Sequence, residues 1–283
     1  MERPTAFVTG ASRGLGKAIA IALAEAGHDV AVTARTMVDG ERRLEGDETV
    51  VVPGGLDTTA AAIEAAGGRA VPLFMDHLDR PTVGAAVADT LAAFGRIDVV
   101  VNNAIYQGPG AMVEFLDLDD DQVGKLFEGN VFAQLAVLRE VLPAMIAAGG
   151  GTVVNMISAT AYATPKNRIG RGGWGMGYAM TKAAFERVAP LLEVEHADDG
   201  IRAFNVDPGH VPTERQIAAG RAKQYEGNFT AGTPRAIGAA VAWLCTSPEA
   251  EQFRGGIAPA QKIAKDHGLV SGADGWTDPP PGE

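Results

Sequence analysis

One cysteine stands in 283 residues. Cys245 has no partner for an intrachain disulfide, so a disulfide-stapled scaffold is excluded, and its apolar, helix-patterned surroundings suit a buried thiol better than a nucleophile. Basic residues are outnumbered, 24 Lys and Arg against 35 Asp and Glu. The net charge of -11 argues against a nucleic-acid partner held by general electrostatics. No apolar run reaches membrane-spanning length, and Met1-Glu-Arg-Pro4 leads into an apolar strand without a signal-peptide pattern. A cytoplasmic protein with no membrane partner is expected. Internal repeats are missing too. The acid-rich stretch Asp117 to Asp121 suits a helix N-terminus, where the dipole favours carboxylates, and no metal is expected.

What is present is an alternation of short apolar runs with longer amphipathic ones, the pattern of a parallel sheet covered by helices on both faces. Strands are expected at Thr5 to Thr9, Asp29 to Ala34, Ala70 to Met75, Asp98 to Asn102, Thr152 to Ile157, Arg202 to Val206 and Gly256 to Ala260. Helices are expected at Leu15 to Ala26, Thr58 to Ala66, Thr82 to Phe94, Asp120 to Ala147, Gly177 to Ala197 and Pro234 to Thr246. This makes one α/β domain over residues 1–276, with a disordered proline-rich tail from Thr277 to Glu283.

Two segments carry chemistry. Tyr178-Ala-Met-Thr-Lys182 places a phenol and an amine one turn apart on one helix face, where the ammonium stabilises the phenolate and lowers the phenol pKa. A second such spacing, Tyr162 to Lys166, is disqualified because Pro165 turns Thr164 away from helix. Near the N-terminus, Thr9-Gly-Ala-Ser-Arg-Gly-Leu-Gly16 follows a strand and opens a helix. Gly10, Gly14 and Gly16 leave backbone amides and the helix end open to a dinucleotide pyrophosphate. The second strand ends Ala34-Arg35, with no carboxylate for the ribose of NAD, and Arg35 and Arg13 offer two guanidinium groups to a 2'-phosphate. NADP(H) is the expected cofactor, with NAD(H) as second choice.

With these segments in order, the chain resembles the short-chain dehydrogenase/reductase family over nearly its whole length. The resemblance implies a Rossmann-type, doubly wound parallel sheet of about seven strands in a single domain. It places Ser12 and Leu15 with the glycines at the phosphates, Asp76 at the adenine amino group, and His77 beside it through backbone alone. Asn103 and Ala104 would lie along the cofactor, and Pro208, Gly209, Val211 and Thr213 under the nicotinamide carboxamide. Ser158 would bind the substrate oxygen and Tyr178 transfer the proton. Lys182 would serve both the phenol and the nicotinamide ribose, and Asn130 would kink its helix and hold a water behind the lysine. The implied reaction moves hydride between NADP(H) and a carbonyl or secondary alcohol. The alternative is a cofactor-sensing or regulatory NADP(H)-binding protein without turnover. A homodimer or homotetramer would form through the long helices.

Four departures stand out. Ile105 replaces a glycine in Asn102-Asn103-Ala104-Ile105. A segment from Lys166 to Gly177 precedes Tyr178 and reads as a loop over the site, whose Lys166, Arg168 and Arg171 beside Trp174 and Met176 hint at an amphipathic carbonyl compound bearing an acidic group. Thr36 to Asp57 reads as a surface excursion near the adenosine end. Pro190 should bend the helix that carries Tyr178 and Lys182.

Overall fold

In the computed structural model, which describes residues 3–44, 47–220 and 231–272, seven parallel strands form one sheet in the order β5-β2-β1-β6-β7-β8-β9. They are β1 (Thr5–Thr9), β2 (Asp29–Ala34), β5 (Ala70–Phe74), β6 (Val99–Asn102), β7 (Gly151–Met156), β8 (Ile201–Asp207) and β9 (Ile257–Pro259). Each lies within about two residues of its expected place. The order reverses between β1 and β6, which opens a crevice at the C-terminal edge of the sheet. The expected tail and the end of the expected domain lie outside the described residues.

Strand residues alternate between two cores, as the pleat requires. Ala6, Val8, Val30, Val32, Val99 and Val101 face one side and pack with α1 (Gly14–Glu25), α2 (Leu56–Ala65), α9 (Pro234–Thr246) and α10 (Ala260–Asp266). Phe7, Ala31, Val100 and Val153 face the other and pack with α3 (Arg80–Phe94), α5 (Ala133–Ala147) and α7 (Val188–His196). Both faces are apolar because both are covered, so these strands read as continuous hydrophobic runs.

Three expectations are refined. The excursion 36–57 contains an exposed two-stranded antiparallel ribbon, β3 (Arg43–Leu44) and β4 (Asp47–Val51), and ends by leading into α2. The helix expected at Asp120 to Ala147 runs over that length, but as α4 (Asp120–Phe127), a π-helical segment Glu128–Phe132, and α5. It is long and apolar enough to span a membrane by length and composition, contrary to expectation, yet Val137, Leu138, Val141 and Met145 are buried in the second core. The helix bearing Tyr178 breaks at Arg187 into α6 (Met176–Glu186) and α7, because Pro190 has no N–H for the carbonyl of Glu186. That carbonyl instead accepts from the Asn205 side chain on β8 at 2.6 Å.

Candidate active site

The glycine loop after β1 meets Asn103 and Ala104 after β6, while Arg35, Asp76 and the Pro208 to Thr213 segment follow β2, β5 and β8. Gly10 and Gly14 take left-handed backbone (φ +67° and +57°), and a side chain at Gly16 would collide with the Gly10 carbonyl and the Asn103 amide. The Thr9 hydroxyl accepts from the backbone N–H groups of Asn103 and Ala104, both at 2.9 Å, and the Asn103 side chain donates back to the Thr9 carbonyl at 2.8 Å. Ile105 is accommodated without strain, since no described non-glycine residue has positive φ. No side chain caps the N-terminus of α1, whose first amides open into the crevice beside buried Ser12, while Leu15 packs inward. Across it, the Thr213 methyl lies 3.4 Å from where a Gly14 Cβ would stand, and a buried, unpartnered Glu214 carboxylate oxygen lies 3.6 Å from the same point. The uncapped N-terminus of α1 and the close approach that only glycine allows at Gly10 and Gly16 fit the pyrophosphate of a dinucleotide.

The expected pair of arginines is only partly assembled. Arg13 is engaged by the excursion, its Nε donating to the Pro53 carbonyl at 2.8 Å and its Nη2 to that of Gly54 at 2.6 Å. Arg35 stands half-exposed at the end of β2, 3.8 Å from Asp76, whose other carboxylate oxygen accepts from the Leu78 amide at 2.9 Å. The ring of His77 is buried, with Nδ1 2.8 Å from the Gly129 carbonyl, and burial lowers its pKa.

The four expected catalytic residues converge from three elements. Ser158 continues β7 in extended backbone and caps the short 3-10 turn Ala159–Ala161, its Oγ accepting from the Thr160 amide at 3.3 Å. Tyr178 and Lys182 lie one turn apart on α6. The Lys182 ammonium is almost fully buried, donates to the Met156 carbonyl at 2.6 Å and stands 5.8 Å from the centre of the Tyr178 ring. Asn130 occupies the π-helical segment, where one extra residue per turn widens the helix. Its Oδ1 accepts from the Tyr106 amide at 2.6 Å, and its Nδ2 donates to the Tyr106 carbonyl at 3.1 Å and reaches the Thr181 hydroxyl at 3.4 Å.

The electrostatics differ from the expectation of a phenol lowered by its lysine. Burial raises the Tyr178 phenol, with a further contribution from the charge of Asp207, and burial brings the Lys182 ammonium down to about 8. Desolvation disfavours the charged form of each group, the phenolate of Tyr178 and the ammonium of Lys182, and it is the largest influence on both.

The short chain dehydrogenase family profile matches residues 4–224. The chain belongs to the short-chain dehydrogenase/reductase family of oxidoreductases. It is 32% identical over 215 residues to a short chain dehydrogenase of Pseudocercospora fijiensis, which covers 76% of this chain and 62% of that protein. An uncharacterised NAD-dependent oxidoreductase of Mycobacterium tuberculosis is 34% identical over 212 residues, 74% of this chain and 71% of its own length. The crystal structure of 3-oxoacyl-[acyl-carrier protein] reductase from Brucella melitensis in complex with NAD superposes with a TM-score of 0.74 at 27% identity, over 92% of this chain and 96% of that one. The chain thus spans under two thirds of the length of the Pseudocercospora relative and nearly all of the bacterial reductase.

Within this short-chain dehydrogenase, Pro208 to Thr213 is held by Gln261 of α10, whose Nε2 donates to the carbonyls of Pro208 and His210, each at 2.9 Å. Gly209 has φ +64°, and a side chain there would meet that amide at 2.7 Å. Thr9, Tyr106, Thr181 and Gln261 were missed by sequence reasoning, because each acts on a partner far along the chain. Cys245, expected to be buried, is half-buried, and desolvation pushes its thiol up to about 12. The loop before Tyr178 is docked on the segment after β6, with Gly175 packed against the Ala111 carbonyl. The hint of an acidic substrate weakens, since Arg168 donates to Glu114 at 2.6 Å.

Proposed function

We propose that this short-chain dehydrogenase transfers hydride between NADP(H), with NAD(H) as second choice, and a carbonyl or secondary alcohol, with Tyr178 as the proton donor or acceptor. The observation that carries this is the convergence of Ser158, Tyr178 and Lys182 at the rim of β7 and α6, beside a glycine slot suited to a dinucleotide. Gly10, Ser12, Gly14, Leu15 and Gly16 would hold the pyrophosphate, Arg35 the adenosine 2'-phosphate, and Lys182 the nicotinamide ribose. When bound, the cofactor supplies or takes up the hydride.

The protein's own residues handle the proton. Ser158 Oγ accepts a backbone hydrogen bond and keeps its own hydrogen for the substrate oxygen. Tyr178, held protonated by burial, is a proton donor as the oxygen gains charge. Asn130, locked to Tyr106 and Thr181, fixes the π-helical turn behind Lys182. For Tyr178→Phe, turnover of ketones falls at least a hundredfold while NADPH affinity, followed by fluorescence titration, changes little; appreciable turnover would remove Tyr178 from its role. A binding protein without turnover has no observation in its favour.

We also propose a dimer or tetramer through the helix Asp120–Ala147 and α7, which expose Phe132, Leu191 and Val194. Sedimentation at micromolar concentration should show it, and a strict monomer would end the idea.

A further inference from the structure

The tyrosine rejected as a catalytic candidate still comes to the site. Tyr162 ends the 3-10 turn that Ser158 opens, and its hydroxyl donates to the Asp207 carboxylate. Asp207 is the last residue of β8, the strand beside β7, and pairing of Met156 with Val206 sets Ile157 and Asp207 at the same level, about 4.8 Å apart. The second Asp207 oxygen accepts from the Gly209 amide at 2.9 Å, so the carboxylate is fixed between the turn after Ser158 and the Pro208-Gly209 segment. A carboxylate has roughly four acceptor sites, of which two are used here. The Tyr162 oxygen can also accept. Tyr162 is 54% exposed and Asp207 half-buried, so a small molecule can reach the pair from solvent. Asp207 is close enough for its charge to act on the Tyr178 phenol. Of the three loop cations suggested for an acidic substrate, Arg168 is already paired with Glu114.

We propose that Asp207 and Tyr162 form a recognition point beside Ser158 and Tyr178 that accepts a hydroxyl carried next to the reacting carbonyl and turns away a carboxylate at that position. The inference rests on the oxidoreductase reading above and names its substrate class: a neutral hydroxyketone, or the corresponding vicinal diol in the oxidative direction. The substrate hydroxyl donates to Asp207 and accepts nothing it needs from solvent, whereas a carboxylate meets a like charge.

The test compares three ketones that differ at one carbon: 2-hydroxyacetophenone, acetophenone and benzoylformate, each reduced with NADPH by the wild type, Asp207→Asn and Tyr162→Phe. The wild type should favour 2-hydroxyacetophenone over acetophenone in kcat/KM by roughly tenfold, the worth of one hydrogen bond to a charged group. Asp207→Asn should erase most of that ratio and raise benzoylformate relative to acetophenone, with Tyr162→Phe showing a smaller loss. A pair that merely ties two loops together would change all three ketones alike and leave the ratios unmoved, which overturns the proposal. So would a wild type indifferent to the hydroxyl. Binding of 1-phenylethane-1,2-diol and 1-phenylethanol to the NADP-loaded protein, followed by intrinsic fluorescence, separates the two readings. A diol preference lost in Asp207→Asn, with no ketone reduced, would strike the oxidoreductase reading and keep the recognition point. Equal binding of both alcohols, or binding of neither, would sink the recognition point.

Discussion

At Arg35 a single side chain is asked to choose the cofactor. Its side chain is 49% exposed and lies 3.8 Å from Asp76, while Arg13 spends its Nε and Nη2 on the carbonyls of Pro53 and Gly54. Charge-assisted bonds to a phosphate contribute about 1.5–3 kcal/mol, and half exposure moves Arg35 to the low end of that range. Arg35→Ala should therefore weaken NADPH by roughly tenfold and leave NADH nearly unchanged in fluorescence titrations. Equal losses for both would return the choice to NAD, the cofactor named for the mycobacterial relative and for the Brucella complex. Residues of this kind were legible where chemistry follows spacing along the chain: Tyr178 with Lys182 on one helix face, and Gly10, Gly14 and Gly16 at the mouth of α1. The engagement of Arg13 was not legible, because its partners lie 40 and 41 residues away in an irregular segment. Nor was the raised phenol of Tyr178, which depends on burial and on Asp207 from another strand.

The buried strands of the sheet were the most legible elements, and the half-exposed edge strand β5 was found as well. The sheet strands carry β-branched residues on two covered faces, so they stand out from any helix, whereas the β3–β4 ribbon is mostly exposed and mixes Arg43, Asp47, Glu48 and Val51 without alternation. The π-helical turn at Asn130 leaves no mark in the hydrophobic period, since Leu126 before it and Val137 after it are both buried as in a regular helix. Packing between elements makes one glycine informative. Gly238 lies mid-way along α9, where alanine would ordinarily stabilise a helix by about 0.5–1 kcal/mol, but a Cβ there would meet the Ala18 carbonyl of α1 at 2.5 Å. Backbone cannot yield as a side-chain tip can. Gly238→Ala should therefore destabilise by about 1–3 kcal/mol in urea unfolding. Gly84→Ala, in α3 with open space around its Cβ position, should stabilise by about 0.5–1 kcal/mol. Stabilisation by both substitutions would show that α1 and α9 are less closely packed than described.

The molecule as a whole carries a net charge of -11 and two well-buried histidines, and the histidines set its behaviour in mild acid. Both His28 and His77 have pKa values lowered by burial, and each holds Nδ1 against a backbone carbonyl, Leu23 at 3.1 Å and Gly129 at 2.8 Å. The Nε2 of His77 is buried with no partner, so a proton placed there has no acceptor. Above about pH 6.5 both rings are neutral in the folded and unfolded states, and they contribute no pH dependence. As the pH falls below 6.5 the unfolded chain takes up protons that the folded chain refuses, and stability declines until the depressed folded values are reached. Each histidine adds at most about 1.4 kcal/mol per pH unit over that window. Urea midpoints measured at one protein concentration should thus drop between pH 6.5 and 5. His77→Gln, which can still donate to the Gly129 carbonyl but cannot titrate, should start lower or equal at pH 7.5 and lose stability less steeply. A wild-type midpoint flat from pH 6.5 to 5, or a His77→Gln variant with the same slope as the wild type, would mean that His77 is protonated in the folded protein and that its buried Nε2 has found an acceptor.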